Sequence, residues 1–282
     1  MPTTLVPGNN GLEKVVIETS HGVAEVYRQG ACLTRYFAKG REVIFVSKSS
    51  HFARGKAIRG GVPICWPWFG PHPGDPKLPQ HGFARAVEWG VAEMSEGRAV
   101  LELLSGDETK KVFPRAFRLR FIVTVSADGL TMALETTNTD PIPFTFGDAL
   151  HTYFNVPDVR SVRVTGLKDH RYRDKVLGGV VKTEIHDATP LSGETDRVYF
   201  DTYGPHEIHS PIAGGPVTRV HKSNSSDTVL WNPWETKAEG LADLAGKQWP
   251  GFVCVEAVNT AENSVTVAPG QTHTTICRVE AL

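Results

Sequence analysis

Glu256, His151 and Asp196 are the side chains whose types and settings could do chemistry. Glu256 lies in the run GFVCVEAVN (Gly251–Asn259), where Phe252, Cys254 and Val258 share its strand face. A carboxylate in so apolar a run must find a partner or be held for chemistry, because burying an unpaired charge is costly. An ion pair with a nearby arginine is the other use open to it. His151, in GDALHTYFNV (Gly147–Val156), shares a strand face with Ala149 and Tyr153, while Leu150 and Phe154 lie on the other. An imidazole there can donate a proton at working pH. A lone histidine is more often a hydrogen-bonded structural residue. Asp196, in GETDRVYF, precedes an expected strand and could orient a hydroxyl or simply serve a turn.

A second constellation lies in the stretch RGGVPICWPWFGPHPGDPKLPQHGFARAVEW, Arg59 to Trp89. Arg59 and Arg85 stand near its ends, with Gln80-His81-Gly82 just before the second arginine. Two guanidinium groups brought together by a folded loop would make a multi-donor site for phosphate oxygens. The competing use is an ion pair between each arginine and a surface carboxylate. Trp66, Trp68 and Phe69 could stack on a ligand or pack beneath the loop, and packing is the expected use for most of them.

Other chemistries lack their residues. His206 and His209 form an HxxH pair with no third ligand nearby, so no metal is expected. GxGxxG, the Walker pattern and a GxSxG elbow are absent. With 30 basic against 31 acidic residues and a net charge of -1, no global field draws nucleic acid or membrane.

The elements that must position these residues are strands. In Phe117–Ala127 the odd positions read Phe, Leu, Phe, Val, Val, Ala, and Leu130–Asn138 follows after the hairpin signal Asp128-Gly129. Further strands are expected at Val15–Thr19, Ala24–Arg28, Glu42–Val46, Ala99–Leu104, Val162–Thr165, Val198–Thr202, Thr218–Lys222, Thr228–Trp231, Phe252–Val258 and Thr274–Val279. Lys237–Lys247 alone looks helical. Short, turn-bounded strands along all 282 residues predict an all-β antiparallel sandwich, with residues 1–282 forming one domain. The exception to the rhythm is Ile58–Ala86, a long loop whose aromatic residues argue against disorder.

Cys32, Cys65, Cys254 and Cys277 form no CxxC pair and suit a core of free thiols in a reducing compartment. Met1 to Lys14 is polar, so no secretory signal is expected. Gly60 to Gly74 is uncharged but broken by prolines and glycines, which rules out a membrane helix there. A cytoplasmic protein is the expectation.

Together these pieces resemble the glucose-6-phosphate 1-epimerase (hexose-6-phosphate mutarotase) branch of the aldose 1-epimerase family. The resemblance rests on IRGGVPICWPWFGPHP, PQHGFAR, DALHTYF, the Thr195-Asp196 step and FVCVE, in the family's order, and spans nearly the whole chain. It implies a large galactose mutarotase-like β-sandwich and the interconversion of α and β anomers of a hexose 6-phosphate, with no cofactor. It implies His151 and Glu256 as the catalytic pair, imidazolium acid and carboxylate base respectively. Arg59, Gln80, His81, Arg85 and Asp196 fall in the substrate site, with the arginines on the phosphate. AVNTAENS after Glu256 is less rich in glycine and proline than the family pattern. The implied partner is a small sugar phosphate, with no nucleic acid or membrane, and the chain is expected to be a monomer. The alternatives are an epimerase for free aldoses, for which paired arginines would be idle, and a non-catalytic sugar-phosphate sensor, which would need neither His151 nor Glu256. A side domain of a polysaccharide lyase or hydrolase is a third, but 282 residues carry no attached catalytic module.

Overall fold

Alternation of apolar and polar residues is written most clearly in Phe117–Ser126. It buries Phe117, Leu119, Phe121, Val123 and Val125 and turns Arg118 to solvent. Period-two alternation puts one face of a strand on a core, and here that face joins a large sandwich. The computed structural model describes residues 2–244 and 246–282 and is nearly all antiparallel β. The hairpin to Gly129–Asn138 pairs Ser126 with Gly129, so Ala127 and Asp128 form the turn. Gly129 is required one residue later than the turn itself. Its φ is +105°, and a Cβ there would stand 2.3 Å from the Val279 carbonyl oxygen.

A nine-stranded sheet forms one layer, running from Ala188–Pro190 at one edge to Gly90–Ser95 at the other. The five-stranded N-terminal sheet, Thr3–Pro7 to Arg41–Glu42, packs Glu13–Thr19 against Phe117–Ser126. The remaining large sheet carries the candidate site. Its order is Val180–Thr183, Arg171–Asp174, Thr195–Tyr199, Asp227–Asn232, Phe252–Asn259, Asp148–Leu150 and Ile64–Cys65, with Tyr153–Asn155 also paired to Phe252–Asn259. Phe252–Asn259, buried at every position, packs on Thr272–Ala281 of the nine-stranded sheet. One apolar cluster joins residues from all three of these sheets.

Several boundaries differ from the sequence expectations. Thr195–Tyr199 replaces Val198–Thr202, because Thr195 to Tyr199 pair with Asn232 to Thr228. Asp196 therefore lies within a strand and not ahead of one. Of Glu42–Val46, only Glu42 belongs to a strand, while Ile44 and Val46 make single bridges to Phe154 and Gly60. The helix expected over Lys237–Lys247 is instead Trp234–Glu239, ended at Gly240, and Ala245 lies outside the described residues. A second helix, Asp107–Val112, was not foreseen; its acidic first turn and Lys110 and Lys111 in the last turn complement the helix dipole. Among the described residues no helix is long and apolar enough to cross a membrane. All four cysteines are buried and free.

The strands on either side of the site are tied together from below. Asp148 and Asn259 are register partners, and the Asp148 carboxylate accepts from Asn259 Nδ2 at 2.9 Å and from Thr275 Oγ1 at 2.6 Å. Asn259 also accepts the Ser226 N–H through Oδ1 and donates to the Asn224 carbonyl. Burial raises the Asp148 carboxyl from its ordinary range, while the Thr275 and Asn259 bonds oppose that rise. Asp148→Ala removes the acceptor of two buried hydrogen bonds and leaves the Thr275 hydroxyl to find another, and should lower stability by about 1–3 kcal/mol. A denaturant midpoint that fell without a change in slope would show this; an unchanged midpoint would mean the network contributes nothing.

Candidate active site

Glu256 sits mid-strand in Phe252–Asn259, opposite Val229 on one side. On the other side its partner is interrupted. Leu150 pairs with Ala257 and Tyr153 with Cys254, leaving His151 and Thr152 in the gap. That register places His151 across from Glu256. The His151 N–H leaves the ladder for the Pro63 carbonyl, at 3.1 Å. Its Nδ1 lies 3.4 Å from Glu256 Oε1, and the side chains are 10% and 0% exposed. His151 Nδ1 and both Glu256 oxygens have no hydrogen-bond partner among the described residues. Native proteins rarely leave a carboxylate so placed, which makes these atoms candidates for contact with a ligand.

The imidazole is held by aromatic contacts. It stacks on Tyr153 at 4.9 Å with 12° between planes, and meets Trp231 edge-on at 5.7 Å. Burial pushes the His151 pKa down to about 3, with the charges of Arg85 and Arg59 adding to the effect. Burial pushes Glu256 well above the usual carboxyl range, the Lys175 ammonium opposing and Asp196 reinforcing that shift. Both shifts favour the neutral forms, a protonated carboxyl beside a neutral imidazole. Burial thus works against the imidazolium–carboxylate arrangement that the sequence resemblance implies.

The Pro- and Trp-rich loop forms the opposite wall. Trp66 is buried against Phe83, Phe113 and Phe117, and Trp68 donates its indole N–H to the Pro79 carbonyl. Both tryptophans serve packing. Gly82, at φ +71°, lets the chain pass the Trp66 carbonyl, where a Cβ would stand only 1.9 Å from its oxygen. This turn presents His81, itself at φ +65°. The His81 Nδ1 accepts the Gly70 N–H at 3.1 Å, so its neutral ring carries the proton on Nε2 as a donor. Burial, with the nearby arginines, holds His81 well below its ordinary pKa.

Gln80, His81, His151, Asp196 and Glu256 line one cavity of about 290 Å³, together with Trp231 and Lys175. Arg59 and Arg85 do not line it. Arg59 Nε lies 3.0 Å from Asp243 Oδ1, an ionic contact without a well-aligned hydrogen bond, and its Nη1 donates to Tyr153 Oη at 3.3 Å. Arg85 Nη2 donates to the Gln80 carbonyl at 2.6 Å. Both arginines nonetheless act on the two histidines. Lys175, Trp231 and Asp243 went unassigned in the sequence, where each is an isolated residue without a pattern. Tyr153 carried a signal in its two-residue offset from His151.

One grouping among the described residues could hold a metal: His151, Cys254 and Glu256 each offer an atom, all within 4.8 Å of one another. The set has the chemistry of a zinc ligand field, but burial keeps the Cys254 thiol far above its usual pKa and opposes the ionisation that ligation needs.

The sequence and the fold have known counterparts. The chain is 35% identical over 283 residues to a Cenchrus ciliaris protein named "Putative glucose-6-phosphate 1-epimerase", an alignment covering 95% of this chain and 84% of that protein. An Escherichia coli protein of the same name is 33% identical, covering 93% and 88%. A Salmonella typhimurium structure described as a "putative mutarotase" superposes with a TM-score of 0.86 at 28% identity, over 99% of this chain and 97% of that one. A galactose mutarotase-like protein from Lactobacillus casei shares the fold at TM-score 0.78 and 20% identity, covering 95% and 100%. The family model for aldose 1-epimerase matches residues 13–280. The chain belongs to the aldose 1-epimerase family.

Proposed function

We propose that this protein interconverts the α and β anomers of a hexose 6-phosphate, glucose 6-phosphate being the first candidate, with His151 and Glu256 as the proton-transfer pair. The observation that carries the reading is the 3.4 Å approach of His151 Nδ1 to Glu256 Oε1, with neither group otherwise hydrogen-bonded. Anomer exchange proceeds by ring opening. A base takes the proton from the C1 hydroxyl, the C1–ring oxygen bond breaks, and the ring oxygen takes a proton from an acid. Rotation about C1–C2 and the reverse transfers close the ring on the other face. One proton enters and one leaves, so a pair that carries one proton between its members suffices. Moving that proton from Glu256 to His151 yields the carboxylate base and imidazolium acid.

Asp196, Gln80 and His81 are proposed to hold ring hydroxyls, and Arg59 and Arg85 to hold the phosphate. For Arg59 this requires Asp243 to yield its place to phosphate oxygens, an exchange of one anion for another. The engagement of both arginines with protein groups favours a second reading, an epimerase for free aldoses. Buried free thiols suit a reducing compartment, which supports a cytoplasmic location. One chain supplies every residue of the site, so a monomer would suffice.

Two-dimensional exchange NMR on glucose 6-phosphate and free glucose at matched concentrations tests the reaction. Strong acceleration for the phosphate alone is expected; equal acceleration of both sugars would move the substrate to free aldoses, and binding without exchange would favour a sensor. In the same assay His151→Ala and Glu256→Ala should each lower turnover by at least about 10²-fold. Near-normal exchange in either variant would remove that residue from the mechanism.

The pH profile follows from the shifted groups. The pair gains a second proton only as His151 ionises, near its value of about 3, and loses its remaining proton when Glu256 ionises well above the ordinary carboxyl range. Plotted against pH, kcat/KM should therefore stay level through neutrality, falling at strongly acid pH and again on the alkaline side. A limb centred near the ordinary histidine value of about 6.5 would contradict the dry pair.

A further inference from the structure

Lys175 follows the strand Arg171–Asp174, and its N–H donates to the Asp196 carbonyl at 2.9 Å. That bond sets the two side chains together, with Nζ 3.6 Å from Asp196 Oδ1, an ion pair too long for a hydrogen bond. The same ammonium lies 4.8 Å from the centre of the Phe69 ring. Phe69 in turn packs edge-on against His81. Lys175 thereby links the sheet to the loop across the cavity that holds His151 and Glu256. It also lines an adjoining cavity of about 530 Å³ beyond Phe69. Arg59 and Arg85 stand behind the histidines with protein partners of their own, whereas the Lys175 side chain lines the cavity itself.

We infer that Lys175 is a positioning residue of this site, an ammonium that balances the cavity's two carboxylates, holding Asp196 in place and making the charge on Glu256 sustainable. The inference rests on the reading of Glu256 as a member of the proton-transfer pair. Without a cation, Asp196 would oppose ionisation of Glu256, since like charges in one cavity repel. The titratable groups that bear on Glu256 come from several elements. Cys254 lies on its own strand, His151 and Tyr153 on the neighbouring segment, and Cys65 beyond them. Asp196 and Lys175 approach from the other side. Among these, Lys175 is the cation acting on Glu256, and its effect there outweighs that of Asp196. On His151 the order differs: Arg85 and Arg59 precede Lys175. Lys175 therefore bears chiefly on the carboxyl member of the pair.

The test is a pH titration of the Glu256 carboxyl by difference infrared spectroscopy, with Glu256→Gln identifying its band. Wild type is compared with Lys175→Met, Lys175→Gln and Lys175→Arg. The two neutral variants should raise the midpoint by about 1 pH unit, and Lys175→Arg should restore it. The alkaline limb of the anomer-exchange profile should move with it, a shift that a purely structural lysine would not cause. An unchanged midpoint in both neutral variants would overturn the inference. So would a carboxyl that stays protonated in wild type across the whole range over which the protein is folded. The infrared reading needs no substrate. An inactive wild type would thus count against the proposed reaction, while the midpoint alone decides the role of Lys175.

Discussion

A carboxylate in the middle of a buried strand, with no hydrogen bond to either oxygen, is the constraint on which this structure turns. Glu256 is surrounded by Phe252, Cys254 and Val258 on its own face, and its side chain is wholly shielded from solvent. Leaving such a group ionised and unpaired would cost several kcal/mol, so burial favours its protonated form. Its counterpart His151 is pushed toward the neutral form by the same burial. Under the proposed mechanism such a pair carries one proton that its two members can exchange.

Proton transfer of the kind proposed tolerates little movement, and the fold supplies rigidity in two ways. On the sheet side, the interruption that frees His151 from the ladder is bracketed by pairing to Ala257 and Cys254. Three residues away, Asp148, Asn259 and Thr275 bind the strands beneath with buried hydrogen bonds. On the loop side, Trp66 acts as an aromatic plug, and Gly82 allows a close crossing that no side chain could fit. The sheet thus fixes His151, Glu256 and Asp196, and the loop fixes Gln80 and His81. Lys175 and Phe69 join the two walls.

Much of this was legible in the sequence because it follows from period-two alternation. Phe117–Ser126 and Phe252–Asn259 read as strands with a defined inner face, and that face is what made Glu256 conspicuous. His151 was visible only as a histidine sharing a face with Tyr153; its position across from Glu256 depends on register, which long-range pairing sets. The proton's location was not legible at all, since it depends on how dry the finished cavity is. Arg59 and Arg85 were recognisable as potential anion ligands, but the carboxylate of Asp243 arrives from a distant turn that no local pattern announces. The misplaced helix has a similar origin. Lys237–Lys247 has suitable residues, yet Gly240 ends the helical segment and the chain goes on to a 3-10 turn.

The burial and close approach of His151 and Glu256 lead to one physical claim about the proposed pair, that it carries a single proton at neutral pH. The most direct measurement is the ¹⁵N NMR spectrum of the His151 ring, assigned by comparison with His151→Ala, followed from pH 8 downward. A ring that is neutral at pH 7 and gains its proton only near pH 3 is the expected result. An imidazolium signal at pH 7 would contradict it, and would mean that Glu256 is ionised before any substrate arrives.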